Sequence, residues 1–283
     1  APPAEYLPCS SERRETMHQL SRRSFLTGTA LAAAAAFVRP AGAVAPLSGQ
    51  QGPGVYRYKL GDYQLTALYD GTWFFPIGNK FVRNANGATV RKAQAAAFLR
   101  PRVVPISFTA LLVNTGSKLV LIDTGTAGQI TNTAGFMLGN LAAAGIAPSA
   151  IDTIVISHFH PDHIDGIKTK DGAKVFANAE ILVPEPEWKF WMDDANLRRA
   201  NTRNMGPVLR YFLNARRIFG DIAKEVRPFK PGAEVAPGIV SIPAYGHTPG
   251  HTAFAIHSGN QSMLAMSDTA REPWLFVRHP EWQ

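Results

Sequence analysis

The sequence predicts an α/β fold (α+β under some schemes), with two mixed sheets packed as a sandwich and helices outside. Three observations carry that expectation. At 283 residues the chain fits one large domain after a leader. Strand-like runs come first, helical stretches follow, and strands return near the end. One apolar run, Ile151 to Ser157, leads straight into His-Phe-His-Pro-Asp-His at 158–163, so this polar cluster sits at the carboxyl end of a buried strand.

Taken in order, residues 1–43 read as upstream residues and an export signal. Ser21 to Leu26 (S-R-R-S-F-L) resembles a twin-arginine motif, Phe25 to Val38 is a short apolar core, and Ala41-Gly42-Ala43 offers a cleavage site. That core is too short for a stable membrane span, so a periplasmic or secreted protein without a membrane anchor is expected. Residues 44–54, rich in Pro and Gly, read as a linker, and 55–283 as the folded domain. Tyr63 to Asp70 alternates like a first strand, and Phe74 to Arg102 reads as irregular with a helical piece at Lys92 to Leu99. Ile106 to Val113 and Lys118 to Asp123 form a hairpin through Asn114-Thr115-Gly116-Ser117. Asn140 to Gly145 looks like a helix end closed by glycine. Lys174 to Ala177 and Glu180 to Val183 read as short strands, Pro184 to Met192 and Asn204 to Ile222 as helices. Ile239 to Pro243, Thr252 to His257 and Ser262 to Met266 read as strands of a second sheet.

The single cysteine, Cys9, lies in the leader, so disulfides and cysteine metal ligands are excluded from the domain. Net charge is +8, and Arg198 to Lys230 holds nine basic residues against Asp221 and Glu225. Such a run reads first as a solvated helix face and second as a patch for anionic substrates or a membrane surface.

The 158–163 segment carries the chemistry. Side chains at i and i+2 of an extended backbone share a side, so His158 and His160 can share one cation. Pro161 suits the first turn of a helix, which would swing Asp162 and His163 towards a second cation. Imidazole plus carboxylate suits zinc and neighbouring transition metals.

These residues resemble the signature of metallo-β-lactamase-fold hydrolases. Leu119 to Gly125 (L-V-L-I-D-T-G), Gly246 to His251 (G-H-T-P-G-H) and Ser267-Asp268-Thr269 are similar to that family's other motifs, in the same order. Leu60 to Thr72 and Leu112 to Gly125 are most similar to the methyl parathion hydrolase-like group. The resemblance implies a four-layer αββα sandwich. It implies that His158, His160 and His247 bind one metal, that Asp162 and His163 bind a second, and that Asp268 bridges. Two divalent ions about 3.5–4 Å apart, zinc or else cobalt or manganese, would hold a bridging hydroxide that attacks the substrate. Asp162 and Asp268 are then the catalytic carboxylates, Asp162 passing a proton. Asp123 is expected to orient a ligand from behind, and Phe190 and Trp191 to wall a pocket for an apolar group. His251 and His257 read as structural.

The resemblance also implies one more histidine on a loop beyond Asp268. His279 lies too near Asp268 to resemble it, so a chain that continues past Gln283, with a last strand and helix absent here, is expected. The implied function is hydrolysis of a small ester, lactone or phosphotriester. Thioester hydrolysis of the glyoxalase II type and β-lactam hydrolysis are the alternatives. A non-catalytic metal-binding protein is the reading if the chain stops at Gln283. No nucleic acid is expected as a partner, and a homodimer is left open.

Overall fold

The structure, a computed structural model, describes residues 48–49, 51–203, 205–270 and 272–282. Residues 1–43, which the sequence suggests are a leader, lie outside the described residues. Gly52 to Gln283 form one compact unit.

A seven-stranded sheet runs in sequence order: β1 (Val55–Leu60), β2 (Tyr63–Pro76), β3 (Val103–Asn114), β4 (Leu119–Ile122), β5 (Thr153–Val155), β6 (Glu180–Pro184) and β7 (Val226–Phe229). The first four pair antiparallel, and β4 to β7 pair parallel. A second, antiparallel sheet is ordered β11 (Gln261–Ala265), β10 (Thr252–Ser258), β9 (Ile239–Pro243) and β8 (Glu234–Ala236).

The parallel strands read as continuous apolar runs because both of their faces are covered. In β4, Val120 and Ile122 point one way and Leu121 the other; in β6, Leu182 opposes Ile181 and Val183. One face meets Ile239, Phe254 and Ile256 of the small sheet. The other meets α2 (Met137–Ala143) and the helices α4 (Glu185–Trp191), α5 (Asp194–Thr202) and α6 (Gly206–Phe219), through Met137, Leu141, Trp191, Ala200, Phe212 and Phe219. Helices, large sheet and small sheet are therefore stacked as the sandwich requires.

Several sequence expectations are corrected. The first strand is β1, in a stretch to which the sequence reading gave no element, and β2 continues to Pro76. The helix before β3 is α1 (Gly87–Ala96), started by Asn86, whose side chain accepts from Thr89 N; it overlaps the expected Lys92 to Leu99 but starts and ends earlier. Lys174 to Ala177 makes one isolated bridge, Lys168 to Lys174, and no strand. α5 went unread because its run is polar; Asp193 caps it by accepting from Ala195 N and Asn196 N. No described helix is long and apolar enough to cross a membrane.

Two features position the site. At the Tyr69/Gly71 register shift of β2, the buried Asp70 carboxylate accepts from Thr126 N, Thr126 Oγ1 and Met137 N. This ties the segment after β4 to α2. Gly166, just past the histidine cluster, passes so close to the same segment that an added Cβ would lie 1.9 Å from Thr124 O. Gly166→Ala is expected to cost about 1–3 kcal/mol by overpacking, seen as a lower urea midpoint at unchanged slope. An unchanged midpoint would show that the contact yields freely.

Candidate metal centre

His160 keeps extended dihedrals (φ −71°, ψ 152°) before Pro161 opens the one-turn helix α3 (Pro161–Ile164). The consequence is local. His158 Nε2 lies 3.0 Å from His160 Nδ1, while Asp162 and His163 turn aside, with His163 Nε2 3.1 Å from Asp162 Oδ2.

Two distant segments complete the group. The loop between β9 and β10 brings His247 Nε2 to 2.9 Å from His160 Nδ1. The turn after β11 brings in Asp268, whose two oxygens divide: Oδ2 is 3.2 Å from His247 Nε2 and Oδ1 is 3.5 Å from His163 Nε2. One carboxylate thus faces both halves of the cluster. The donor atoms of His158, His160 and His247 lie within 4.8 Å of one another, as do those of His158, His163 and Asp268.

The residues behind are placed by strained or buried backbone. Asp123 ends β4 at φ +60°, a conformation that Asp tolerates better than most residues. Its carboxylate accepts from Ser157 N and Ser157 Oγ, each at 2.8 Å, and pairs with His163 Nδ1 at 2.8 Å. Ser157 Oγ also lies 3.0 Å from His158 Nδ1 and 2.9 Å from Ser267 Oγ. His251 Nδ1 is 2.9 Å from Ala244 O. With that nitrogen donating, Nε2 is the acceptor for Asp268 N at 3.0 Å.

The electrostatics suit a cation. Burial, then the neighbouring histidines, hold His158 well below the ordinary imidazole range, so it is neutral and keeps a lone pair. Burial opposes charge on His163, but Asp162, Asp123 and Asp268 outweigh it and raise the imidazole well above its ordinary range. Burial likewise opposes the Asp162 anion, and His163 outweighs it and takes the carboxyl below its usual range. His163 Nε2 is buried, and its neighbours Asp162 Oδ2 and Asp268 Oδ1, at 3.1 and 3.5 Å, are not aligned with it as hydrogen-bond acceptors. Two carboxylates at Nε2, Asp162 and Asp268, with Asp123 on Nδ1 behind, mark a place for positive charge, and a metal would displace the Nε2 proton. The residues fit two divalent cations: His158, His160 and His247 would hold one, Asp162 and His163 the other, with Asp268 shared.

The profile of the metallo-beta-lactamase superfamily matches residues 103–276, which is more than half of the chain. The chain belongs to the metallo-β-lactamase superfamily. It is 31% identical to the hydrolase AbOPH of the beta lactamase superfamily, with a TM-score of 0.70 over 77% of this chain and 74% of that one. It is 29% identical to AidC, a dizinc quorum-quenching lactonase in complex with a product, N-hexanoyl-L-homoserine, with a TM-score of 0.69 over 75% of this chain and 73% of that one. The uncharacterized protein YobT of Bacillus subtilis (strain 168) is 24% identical over 170 residues, or 58% of this chain. The chain spans 62% of that relative's length.

As a superfamily member the chain would be expected to have a substrate cavity against the cluster, and two cavities open there. One, of about 340 Å³, is lined by Ile106, Phe108 and Met266 with Asp162, His163 and Asp268. The other, of about 730 Å³, is lined by Phe81, Arg83, Phe276 and Trp282 with His247 and Asp268. The sequence reading missed these walls: Phe81 and Arg83 come from the stretch it left irregular, and Ile106, Phe108 and Met266 from strands whose facing it did not assign. Phe190 and Trp191 line neither. They pack edge to face at 4.8 Å within the helical layer, against Phe212. Their aromatic character serves that core. Tyr211 of α6 is the aromatic ring that meets the cluster, 4.6 Å from His160. His279 stacks on Trp282 at 4.0 Å.

Proposed function

We infer that the protein is a binuclear metal-dependent hydrolase of small, neutral esters, lactones or phosphotriesters. The observation that carries this reading is the split of the Asp268 carboxylate between His247 and His163. The likeness to a dizinc lactonase and to a superfamily hydrolase supports it, as do the apolar residues among both linings, Ile106, Phe108 and Met266 in one and Phe81, Phe276 and Trp282 in the other. The resemblance to the methyl parathion hydrolase-like group belongs to the same proposal, and export rests on the Ser21 to Leu26 run alone.

Two bound divalent ions would supply Lewis acidity and water acidified to a pKa of about 7. Within that frame the chain's own groups have distinct tasks. His158, neutral through burial, presents Nε2 beside His160 and His247. Asp123 fixes the His163 ring from behind. The Asp162 carboxylate, kept ionised by its neighbours, borders the smaller cavity and is placed to accept a proton from water and return it to the leaving oxygen. Phe81, Phe108, Phe276 and Trp282 would shelter the reacting bond from bulk water.

The test is a substrate panel: an aryl ester, an N-acyl homoserine lactone, an aryl phosphotriester, a thioester and a chromogenic cephalosporin. Hydrolysis of one of the first three is expected, lost on chelation and restored by zinc, cobalt or manganese. Full activity in chelator-treated protein free of metal would overturn the reading. Turnover of the thioester or the cephalosporin alone would replace the substrate class.

A further inference from the structure

We propose that Glu187 is a positioning residue for the three-histidine half of the centre, locking the loop that carries His158 and His160 to the loop that carries His247. The inference rests on the metal-centre reading above.

Glu187 lies on α4, outside every motif that drew attention in the sequence, and is completely buried. A buried carboxylate is costly unless its oxygens are satisfied. Here they are satisfied by the two metal loops. Oε2 accepts from Phe159 N at 3.0 Å, and Oε1 accepts from Gly250 N at 2.6 Å. Phe159 stands between His158 and His160, and Gly250 follows His247 by three positions. One side chain therefore holds the backbones of two segments that are remote in sequence and that must present three nitrogens to one point.

The clamp is itself held. Trp191 Nε1, one turn along α4, donates to Oε2 at 2.6 Å. Gly250 sits so close to the start of α4 that a Cβ there would lie 2.4 Å from Glu187 N, so any side chain at 250 would push the loop off the helix. The carboxylate is chemically particular. Phe159 N, Gly250 N and Trp191 Nε1 all donate to it, with the Thr248 hydroxyl beside them, so both oxygens must accept. The amide of glutamine would turn an NH2 against one of those donors. The other half of the centre is secured differently, by Asp123 on His163 and by His251 on the Asp268 backbone. Loss of Glu187 should therefore act on one metal and spare the other.

The experiment is titration of metal-free full-length protein with Co2+ alone, followed by its absorption spectrum and by chelator competition, for wild type, Glu187→Gln and His160→Ala. Wild type should take up two ions. Glu187→Gln should hold the ion of the three-histidine site about 10- to 100-fold more weakly, the range typical when a group supporting a ligand is lost. Its second ion should keep wild-type affinity, and its one-equivalent spectrum should match that of His160→Ala. Unchanged affinity at both sites, or equal weakening at both, would overturn the proposal, since a merely structural role has no reason to choose one site. If Glu187→Gln does not fold, Trp191→Phe decides: an aromatic ring remains and one donor is lost, so a smaller loss confined to the same site is expected, and no loss or an even loss overturns the idea. A wild type that binds no metal would sink the metal-centre reading and this inference with it. Wild-type binding with an unaltered variant sinks this inference alone.

Discussion

Replacing His160 by alanine is expected to reduce hydrolysis by more than about a hundred-fold, beyond the 10- to 100-fold typical for groups that only support a ligand. The reason is its central place. His160 Nδ1 is 3.0 Å from His158 Nε2 and 2.9 Å from His247 Nε2, so its removal leaves two imidazoles that no longer surround a point. Catalytic zinc sites rest on three protein ligands, and a site short of one should lose its ion to mild chelation. Folding should survive, because His160 is only partly buried and its ring meets the other histidines of the cluster and the Tyr211 ring. The measurement is kcat/KM together with metal content on dialysed protein. A variant that keeps both would refute the assignment of the three-histidine site.

Asp123→Ala is expected to lower both stability and activity. The wild-type carboxylate is the acceptor for Ser157 N and Ser157 Oγ and the partner of His163 Nδ1. Truncation strands a buried backbone N–H, which alone costs about 1–3 kcal/mol. It also leaves the raised charge of His163 with one neighbour fewer, and places alanine at φ +60°, where a residue without a short polar side chain is strained. Together these should cost about 3 kcal/mol or more, read as a drop in urea midpoint. Activity should fall by about 10- to 100-fold as the His163 ring loses its orientation. Asp123→Asn, which keeps one acceptor and tolerates the same backbone, should recover part of the stability. Equal midpoints for wild type and Asp123→Ala would show that the interaction contributes nothing to folding.

Much of the centre is legible because its information is local. His158 and His160 are two residues apart on extended backbone, and Pro161 starts the turn that sends Asp162 and His163 the other way. Spacing along six residues is enough to predict that arrangement. The parallel strands are legible for a related reason: burial on both faces leaves unbroken apolar runs such as Leu119 to Ile122. Resemblance to known motifs added His247, Asp268 and Asp123, which no local pattern joins to the first group.

Other features carry no local signature. α5 is a polar helix, and its sequence resembles a loop. Phe190 and Trp191 were placed at a pocket wall, but an aromatic pair on a short helix packs a core or a cavity with the same composition. Glu187, one of two glutamates at a helix start, looks solvent-exposed until the fold brings Phe159 and Gly250 onto its oxygens.

By itself, then, the sequence determined the fold class, the histidine–aspartate cluster and its placement at a strand end, since periodicity and spacing act over a few residues. Only the tertiary structure decided which face of Asp268 meets which histidine, what holds each ligand from behind and which residues wall the cavities. Those are contacts between segments tens of residues or more apart, set by sheet register and by the packing of helices on sheet.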